Sequence, residues 1–285
     1  MKYEGSLYRP PSEARSLILQ ATIGCSHNKC SFCSMYKDKY FRIRKTQDIL
    51  KDIESGRQKF QNINRIFLAD GDALIIKTQE LIHILDHIRY TIPECERVGV
   101  YASPKSIMTK SLEDLRILKS KGLNIAYLGL ESGSDKVLDS IYKGVSSREL
   151  IDCGRKLKEA GIMVSLTLIS GMGGSDHWKE HALESAKAVN EINPDYLGLL
   201  TLMVEEGTDL KRDIDNGDFK LLSQEEIAKE TIELLRNLDS EGTVFRSNHA
   251  SNYVPLKGRL NKDREKMIDI LKNPPSIRDE WMRRL

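Results

Sequence analysis

Short apolar runs alternate with longer amphipathic stretches along most of this chain. The runs are rich in branched and aromatic residues, a composition typical of strands that are buried on both faces. They are Ser16–Thr22, Arg65–Ala69, Val98–Ala102, Ile125–Leu130, Met163–Ile169 and Tyr196–Met203, with a shorter one at Thr243–Arg246. Helical spacing of apolar residues predicts helices over Thr46–Lys59, Thr78–Tyr90, Leu112–Lys121, Ser134–Ile141, Ser147–Ala160, Trp178–Ile192 and Gln224–Leu238.

This repeated order of strand and helix indicates parallel strands joined by right-handed crossovers. An open doubly wound sheet and a barrel both satisfy it. Polar and glycine-containing segments recur just after the strands, where the loops of a barrel converge on one face, so the pattern favours the barrel. We predict a single α/β domain over residues 1–285, a partial (β/α)6 TIM-type barrel of parallel strands with outer helices. The core barrel is expected over about 15–205 and a short C-terminal extension over 206–285, with a helical tail from Val254 to Leu285.

The charges of the chain are nearly balanced. Its 44 basic and 42 acidic residues leave a net charge of +2, which gives no reason to expect nucleic acid or an anionic membrane as a partner. The N-terminus lacks the charged-then-apolar pattern of a secretion signal. No apolar run approaches the roughly 20 residues that cross a bilayer. The expected location is therefore the cytoplasm, without membrane or nucleic-acid partners.

Three of the five cysteines stand directly after the first predicted strand, as Cys25, Cys30 and Cys33 in the spacing C-x4-C-x2-C. An odd, clustered set of cysteines argues against a disulfide framework. Three thiolates in one loop can ligate three irons of a [4Fe–4S] cluster and leave one iron open for a ligand. A zinc site with His27 as fourth ligand is the alternative, although zinc favours C-x2-C pairs separated by a longer insert. Cys95 and Cys153 are interpreted as structural thiols.

The cysteine loop resembles that of the radical S-adenosylmethionine superfamily, whose members carry three cysteines after the first strand of a partial barrel. They have an aromatic residue before the last cysteine, and Phe32 matches it. The usual spacing is C-x3-C-x2-C, so this loop has one extra residue. The segment Gly129-Leu130-Glu131-Ser132 is similar to a pattern of the branch that includes oxygen-independent coproporphyrinogen oxidases and methylthiotransferases. The resemblance covers about residues 15–205.

This resemblance implies cofactor contacts at successive strand ends. Asp70-Gly71-Asp72 resembles the Gly-Gly-Glu element of the superfamily, which implies that the Gly71 backbone and the Asp72 carboxylate hold the methionine amino group. Ser103 occupies the place of a polar residue near the ribose. Glu131 and Lys143 are implied to contact the sugar and the carboxylate of the cofactor, although the family more often has arginine at the second position. Ile169, in an element similar to G-x-I-x-G, is implied to pack on the adenine.

The family reaction is the cleavage of S-adenosylmethionine by a reduced [4Fe–4S] cluster to a 5′-deoxyadenosyl radical, which abstracts hydrogen from a substrate. The resemblance therefore implies a radical enzyme that acts on an unidentified small molecule. Its electron donor would be a protein such as flavodoxin or ferredoxin. A non-catalytic iron–sulfur protein for electron transfer or scaffolding is the alternative, but such a protein needs none of the cofactor elements after the later strands.

Polar residues near the last apparent strand suggest a substrate side. The candidates there are Arg246, Asn248, His249, Asn252 and Tyr253, and Arg9 before the first strand could bind a carboxylate. His177 and His181 are four apart and share a helix face. With no third ligand nearby in the sequence, both are predicted to lie on the helix surface rather than to bind metal.

Overall fold

The computed structural model describes residues 3–283. The strands are β1 Leu17–Gln20, β2 Thr22–Ile23, β3 Arg42–Ile43, β4 Arg65–Ala69, β5 Arg97–Tyr101, β6 Leu123–Glu131, β7 Met163–Ser170, β8 Tyr196–Thr201, β9 Val244–Ser247 and β10 Leu256–Arg259. The helices are α1 Thr46–Lys59, α2 Thr78–Thr91, α3 Pro104–Met108, α4 Leu112–Ser120, α5 Asp135–Ser140, α6 Ser147–Glu159, α7 Gly174–Ile192, α8 Asp209–Asn216, α9 Gln224–Asn237 and α10 Arg264–Lys272.

A largely parallel sheet runs through the described residues in the strand order β1-β4-β5-β6-β7-β8-β9-β10. β1 pairs with β4, β4 with β5, and β5 with β6 in parallel, as do β7 with β8 and β8 with β9. β10 joins β9 in antiparallel orientation. Each parallel pair is joined through at least one helix, which confirms the predicted α/β class.

The chain divides into two compact units, the first of which comprises Met1–Asn28, Met35–Leu128 and Lys156–Val164. Here α1 packs against β1 and α2, and α2 packs against α4. The buried face of α1 carries Ile49, Leu50 and Ile53 at helical spacing. Gly56 lets this helix approach β1 closely, because a Cβ there would lie 2.8 Å from Leu17 Cδ2.

The second unit comprises Lys29–Ser34, Gly129–Arg155 and Ser165–Leu285. α7 packs against α9, and α10 packs against α9 and β10. A capping box begins α9, in which Ser223 Oγ accepts from Glu226 N and the Glu226 side chain accepts from Ser223 N. Among the described helices, none is both long enough and apolar enough to span a bilayer.

Two predicted elements differ from the structure. The first apolar run is split, because the chain leaves β1 after Gln20 and β2 pairs antiparallel with β3 instead. The tail predicted as helical from Val254 to Leu285 contains the strand β10, and α10 begins only at Arg264. β10 has one buried residue, Leu256, so it carries no alternating pattern and owes its conformation to pairing with β9.

Candidate cofactor site

In the first unit, the turn after β4 lies directly against Cys25. A Cβ on Gly71 would stand 3.0 Å from Cys25 Cβ and 2.8 Å from Tyr36 Cε2, so only glycine fits there. The Gly71 N–H donates to Gly24 O over 3.1 Å. Two elements that the sequence places 46 residues apart, the first cysteine and the turn Asp70–Asp72, are thus in contact.

A buried ion pair fixes this arrangement. Lys39 Nζ lies 2.9 Å from Asp70 Oδ2, and the two side chains are only 4% and 0% exposed. The same oxygen accepts from Gln20 Nε2 over 3.0 Å and from the Gly24 N–H over 3.1 Å. Asp70 Oδ1 is buried without a hydrogen-bond partner among residues 3–283. The role of Lys39 was not predicted, because nothing local in the sequence connects this residue with Asp70.

Asp72 and Ser103, both predicted cofactor contacts, are hydrogen-bonded to each other. Asp72 Oδ1 accepts from the Ser103 N–H over 3.1 Å, and Asp72 Oδ2 accepts from Ser103 Oγ over 2.7 Å. Ser26 Oγ, beside Cys25, also donates to Asp72 Oδ2. Ser103 is in addition the N-cap of α3, where its Oγ accepts from the Ser106 N–H. Asp72 is fully buried, and its carboxylate accepts hydrogen bonds from both serines.

In the second unit, the segment that carries Cys30 and Cys33 is held by backbone hydrogen bonds from both sides. The Ser31 N–H donates to Ile141 O and the Leu210 N–H donates to Ser31 O, each over 3.0 Å. Ile141 follows α5 and Leu210 lies in α8, a helix that the sequence did not predict. Phe32, between the two cysteines of this segment, is partly buried.

The donor set of the cysteine loop fits an iron–sulfur cluster. All five cysteines are thiols, and Cys25, Cys30 and Cys33 are partly exposed. Burial raises the pKa of the Cys95 thiol to about 11, so this residue resists the thiolate form that a metal ligand needs. In the part of the chain that the structure describes, no three Cys, His, Asp or Glu side chains are already gathered around one metal position. The ligand assignment therefore depends on donor chemistry and on the order of the residues along the loop.

Glu131 and Lys143, the predicted contacts of the sugar and carboxylate, form an ion pair. Glu131 Oε1 lies 3.0 Å from Lys143 Nζ, and each side chain is 12% exposed. Glu131 has a positive φ of 59° at the end of β6. A Cβ on Gly129 would approach Glu131 Oε1 to 2.1 Å, so this glycine makes room for the pair. The structure thus brings these two predicted residues together.

Ile169 is buried near the end of β7, and the two residues after it bind a glutamate that the sequence motifs do not include. Ser170 Oγ and the Gly171 N–H donate to Glu230 Oε1 over 2.6 and 2.8 Å. Burial raises the pKa of the Glu230 carboxyl, although His181 and the two donors oppose this shift. The helical pattern of α9 gave a signal for Glu230, because this charged residue stands on the apolar face with Ile227 and Leu234.

The prediction that His181 lies on a helix surface is wrong. The residue is 3% exposed, and its Nδ1 stands 2.8 Å from Ser132 Oγ. Its face of α7 is buried because the loop after β6 packs on this helix, where a Cβ on Gly133 would stand 2.2 Å from Glu184 O. His177, on the same helix, is partly exposed.

The predicted substrate residues on the segment after β9 hold that segment in place. Asn252 is buried, accepts from Thr201 Oγ1 and donates to Leu199 O, each over 3.0 Å. The carbonyls of His249 and Asn252 accept from Arg278 Nη1. Burial, with the Arg278 charge, lowers the pKa of His249.

The other predicted substrate residues are at least partly exposed to solvent. The Arg283 guanidinium lies 3.9 Å from the ring centroid of Tyr253, and burial raises the pKa of that phenol to about 12. Arg246 and Asn248 are exposed, and Arg246 Nη1 donates to the neighbouring Phe245 O. Arg9, in the first unit, is also exposed.

Comparison with known proteins gives a family and a fold. A family model described as the Radical SAM superfamily matches residues 19–186. The heme chaperone HemW of Buchnera aphidicola subsp. Acyrthosiphon pisum is 23% identical over 63% of this chain and 49% of its own length. The tRNA-2-methylthio-N(6)-dimethylallyladenosine synthase of Shewanella sp. strain W3-18-1 is 25% identical over 90% of this chain and 57% of its own length. The chain thus spans about half the length of these curated relatives.

A solved structure extends the likeness of fold. The coproporphyrinogen III oxidase HemN of Escherichia coli, described as a radical SAM enzyme, aligns with a TM-score of 0.58 and 17% identity. The alignment covers 78% of this chain and 50% of that one. At this level of identity the similarity concerns the fold alone, and it agrees with the partial barrel that the sequence predicts.

Proposed function

Because this chain belongs to the radical SAM superfamily, we propose that it is an enzyme that cleaves S-adenosylmethionine reductively and uses the resulting radical on a substrate. The observation that carries the proposal is the contact between Gly71 and Cys25, which brings a predicted cofactor turn against a predicted cluster ligand. When bound, a [4Fe–4S] cluster would supply the single electron that breaks the carbon–sulfur bond of S-adenosylmethionine.

We assign separate roles to the cysteines and to the turn after β4 from the chemistry of their side chains. Cys25, Cys30 and Cys33 would ligate three irons through their thiolates, and Phe32 would lie beside the last ligand. The Gly71 backbone and Asp72 would bind the ammonium group of the cofactor, which requires the Asp72 carboxylate to share or release its hydrogen bonds with Ser26 and Ser103.

The contacts to the rest of the cofactor come from later strand ends. Glu131 would bind the sugar and Lys143 the carboxylate, which requires their mutual ion pair to open or to be shared with the cofactor. Ser103 would face the ribose, and Ile169 would pack on the adenine. These roles follow the order of the family elements along the chain.

The proposed substrate is a small molecule, and the proposed electron donor is flavodoxin or ferredoxin. The near-neutral net charge of +2 supports a small molecule over nucleic acid. The exposed Arg246 and Asn248, with Arg9, are the candidates that remain available for substrate contact. Asn252 and the carbonyl of His249 are occupied by contacts within the protein, so any part that these two residues play is a supporting one.

The test is anaerobic reconstitution with iron and sulfide, followed by reduction in the presence of S-adenosylmethionine. Formation of 5′-deoxyadenosine and methionine is the expected result. An intact, reduced cluster that yields no 5′-deoxyadenosine would favour the alternative of an electron-transfer or scaffold protein. A colourless protein that retains zinc after reconstitution would instead favour the zinc site.

We expect Asp72→Ala to weaken S-adenosylmethionine binding about tenfold while the cluster is kept, because a charged hydrogen-bond partner of the ammonium group is lost. Equilibrium binding to the reconstituted protein measures the effect, and iron content reports the cluster. Asp114→Ala is the matched control, since Asp114 also accepts from a serine N–H and hydroxyl but at the start of α4. Equal affinities of Asp72→Ala and the unmodified protein would show that Asp72 is not the ammonium contact.

A further inference from the structure

The ends of β6 and β7 are connected by a chain of buried polar side chains. Ser132 follows Glu131 after β6, and Ser170 follows Ile169 in β7. His181 of α7 contacts the first serine, with Nδ1 at 2.8 Å from Ser132 Oγ. Glu230 of α9 accepts a hydrogen bond from the hydroxyl group of Ser170. His181 Nε2 lies 3.9 Å from Glu230 Oε1. These polar side chains thus link the end of β6 to the end of β7 through α7 and α9.

The hydrogen-bond directions along this chain are mutually consistent. Ser132 Oγ accepts from the Ser134 N–H over 3.0 Å, and its own hydroxyl hydrogen can be donated to His181 Nδ1. In that tautomer the imidazole hydrogen is on Nε2, which lies 3.9 Å from Glu230 Oε1, a separation longer than a hydrogen bond. Glu230 Oε1 accepts from Ser170 Oγ and from the Gly171 N–H. Each serine hydroxyl along the path therefore has an acceptor.

Burying these four polar side chains costs free energy of folding unless their hydrogen bonds are kept. Ser132, Ser170, His181 and Glu230 are 0%, 2%, 3% and 2% exposed. Glu230 Oε1 accepts two hydrogen bonds, whereas Glu230 Oε2 is buried without a hydrogen-bond partner among residues 3–283. A carboxyl group buried in this way is costly, so the two donors to Oε1 are needed to keep it in place. Apolar residues between α7 and α9 would fill the same space without this cost. The polar residues are accordingly explained by the two strand ends that they bind.

We propose that Glu230 and His181 are positioning residues for S-adenosylmethionine. They bind the residues next to Glu131 and Ile169 and thereby hold these two contacts, to the sugar and to the adenine, at a fixed separation. Neither residue touches the cofactor in this proposal. The inference rests on the proposed function, since it assumes that the ends of β6 and β7 bind S-adenosylmethionine.

Glu230→Leu is the most direct test, because it keeps a similar side-chain volume and leaves Ser170 and Gly171 without their acceptor. In the reconstituted protein we expect the dissociation constant for S-adenosylmethionine to rise about tenfold, because buried donors are left unpaired. Glu230→Gln retains an oxygen acceptor and is expected to stay within about twofold of the unmodified protein. Equilibrium dialysis measures the S-adenosylmethionine affinity of both variants. Iron analysis shows whether each variant holds as much cluster as the unmodified protein.

Thr231→Val is the matched control. Thr231 is a buried neighbour on the same helix, and its hydroxyl donates within the helix to Ile227 O over 2.8 Å. Its replacement therefore tests α9 without touching the ends of β6 and β7, and S-adenosylmethionine affinity should not change. Hydrogen exchange in the cofactor-free protein gives an independent measurement, because exchange in peptides that contain Gly171 should be faster in Glu230→Leu than in Thr231→Val.

Several outcomes would overturn the proposal. One is unchanged S-adenosylmethionine affinity in Glu230→Leu with an intact cluster, and another is an equal loss in Thr231→Val. If Glu230→Leu does not fold, His181→Leu removes the link from the other side and is expected to weaken binding about fivefold; unchanged affinity there would also refute the role. An unmodified protein that carries its cluster but does not bind S-adenosylmethionine would contradict the proposed function itself.

Discussion

Replacing Cys30 with alanine is expected to abolish 5′-deoxyadenosine formation completely and to lower the iron and sulfide content to background. In the proposed site the loop would supply three thiolates, and a cluster with one iron open to the cofactor would lose its stable attachment when a second iron lacks a protein ligand. The Cys30 segment is tied by backbone hydrogen bonds through Ser31, so the substitution removes a ligand without unfolding the loop. Iron and sulfide analysis, with the visible absorption of the cluster, measures the first effect, and product chromatography measures the second.

Cys95→Ala is the control for this experiment. Cys95 lies outside the loop, its thiol contacts Arg97 O, and burial raises its pKa. Its replacement should leave iron content and cofactor cleavage at the level of the unmodified protein. Retention of a full cluster in Cys30→Ala would contradict the ligand assignment, and loss of the cluster in Cys95→Ala would show that the loop is not its sole anchor.

The largest expected effect on stability comes from Lys39→Met. This change leaves the Asp70 carboxylate buried without its cation, and breaking such a pair costs about 3–5 kcal/mol. The loss concentrates at the turn that packs on Cys25, because the same Asp70 oxygen accepts from the Gly24 N–H. We therefore expect a lower melting temperature and also a slower, less complete reconstitution of the cluster. Thermal unfolding before reconstitution separates the first effect from the second.

Two further variants show whether the lost charge is the cause. Lys39→Met/Asp70→Asn removes both charges and should be more stable than Lys39→Met alone, because no unpaired buried charge remains. Arg116→Met breaks a pair with Glu159 whose side chains are 49% and 63% exposed, and such surface pairs contribute about 0–1 kcal/mol. Equal melting temperatures of Lys39→Met and Arg116→Met would refute the structural role of the buried pair.

Local patterns were sufficient for most of the fold because strands and helices here carry their own periodicity. The run Arg65–Ala69 and the helix Thr46–Lys59 have the predicted bounds, since the strand is apolar and buried after Arg65 and the helix has a clear buried face. Elements without such a pattern were missed. α8 has one buried residue, Leu210, and its place depends on a backbone contact with Ser31, 179 positions earlier in the chain.

The candidate site divides in a similar way. The cysteine spacing and the turn at Asp70–Asp72 stand out in the sequence because each is a short motif after a strand, and Glu131 and Ile169 lie at or near the ends of β6 and β7. Their roles toward the cofactor, like that of Lys143, stay predictions. The partners that hold these residues do not stand out in the sequence. Lys39 and Glu230 lie 31 and 59 or more residues from the groups they bind, and a lone charged residue in the sequence does not indicate its partner.

The parallel α/β class, the place of the cysteine loop and the family could be predicted from the sequence, because hydrophobic period and motif spacing are properties of neighbouring residues. The packing of Gly71 on Cys25, the ion pair of Lys39 with Asp70 and the burial of His181 against Ser132 became visible only in the folded chain. These contacts join residues that are distant along the chain. Whether a polar side chain is exposed or buried depends on which elements cover it, and that is set by packing rather than by local composition.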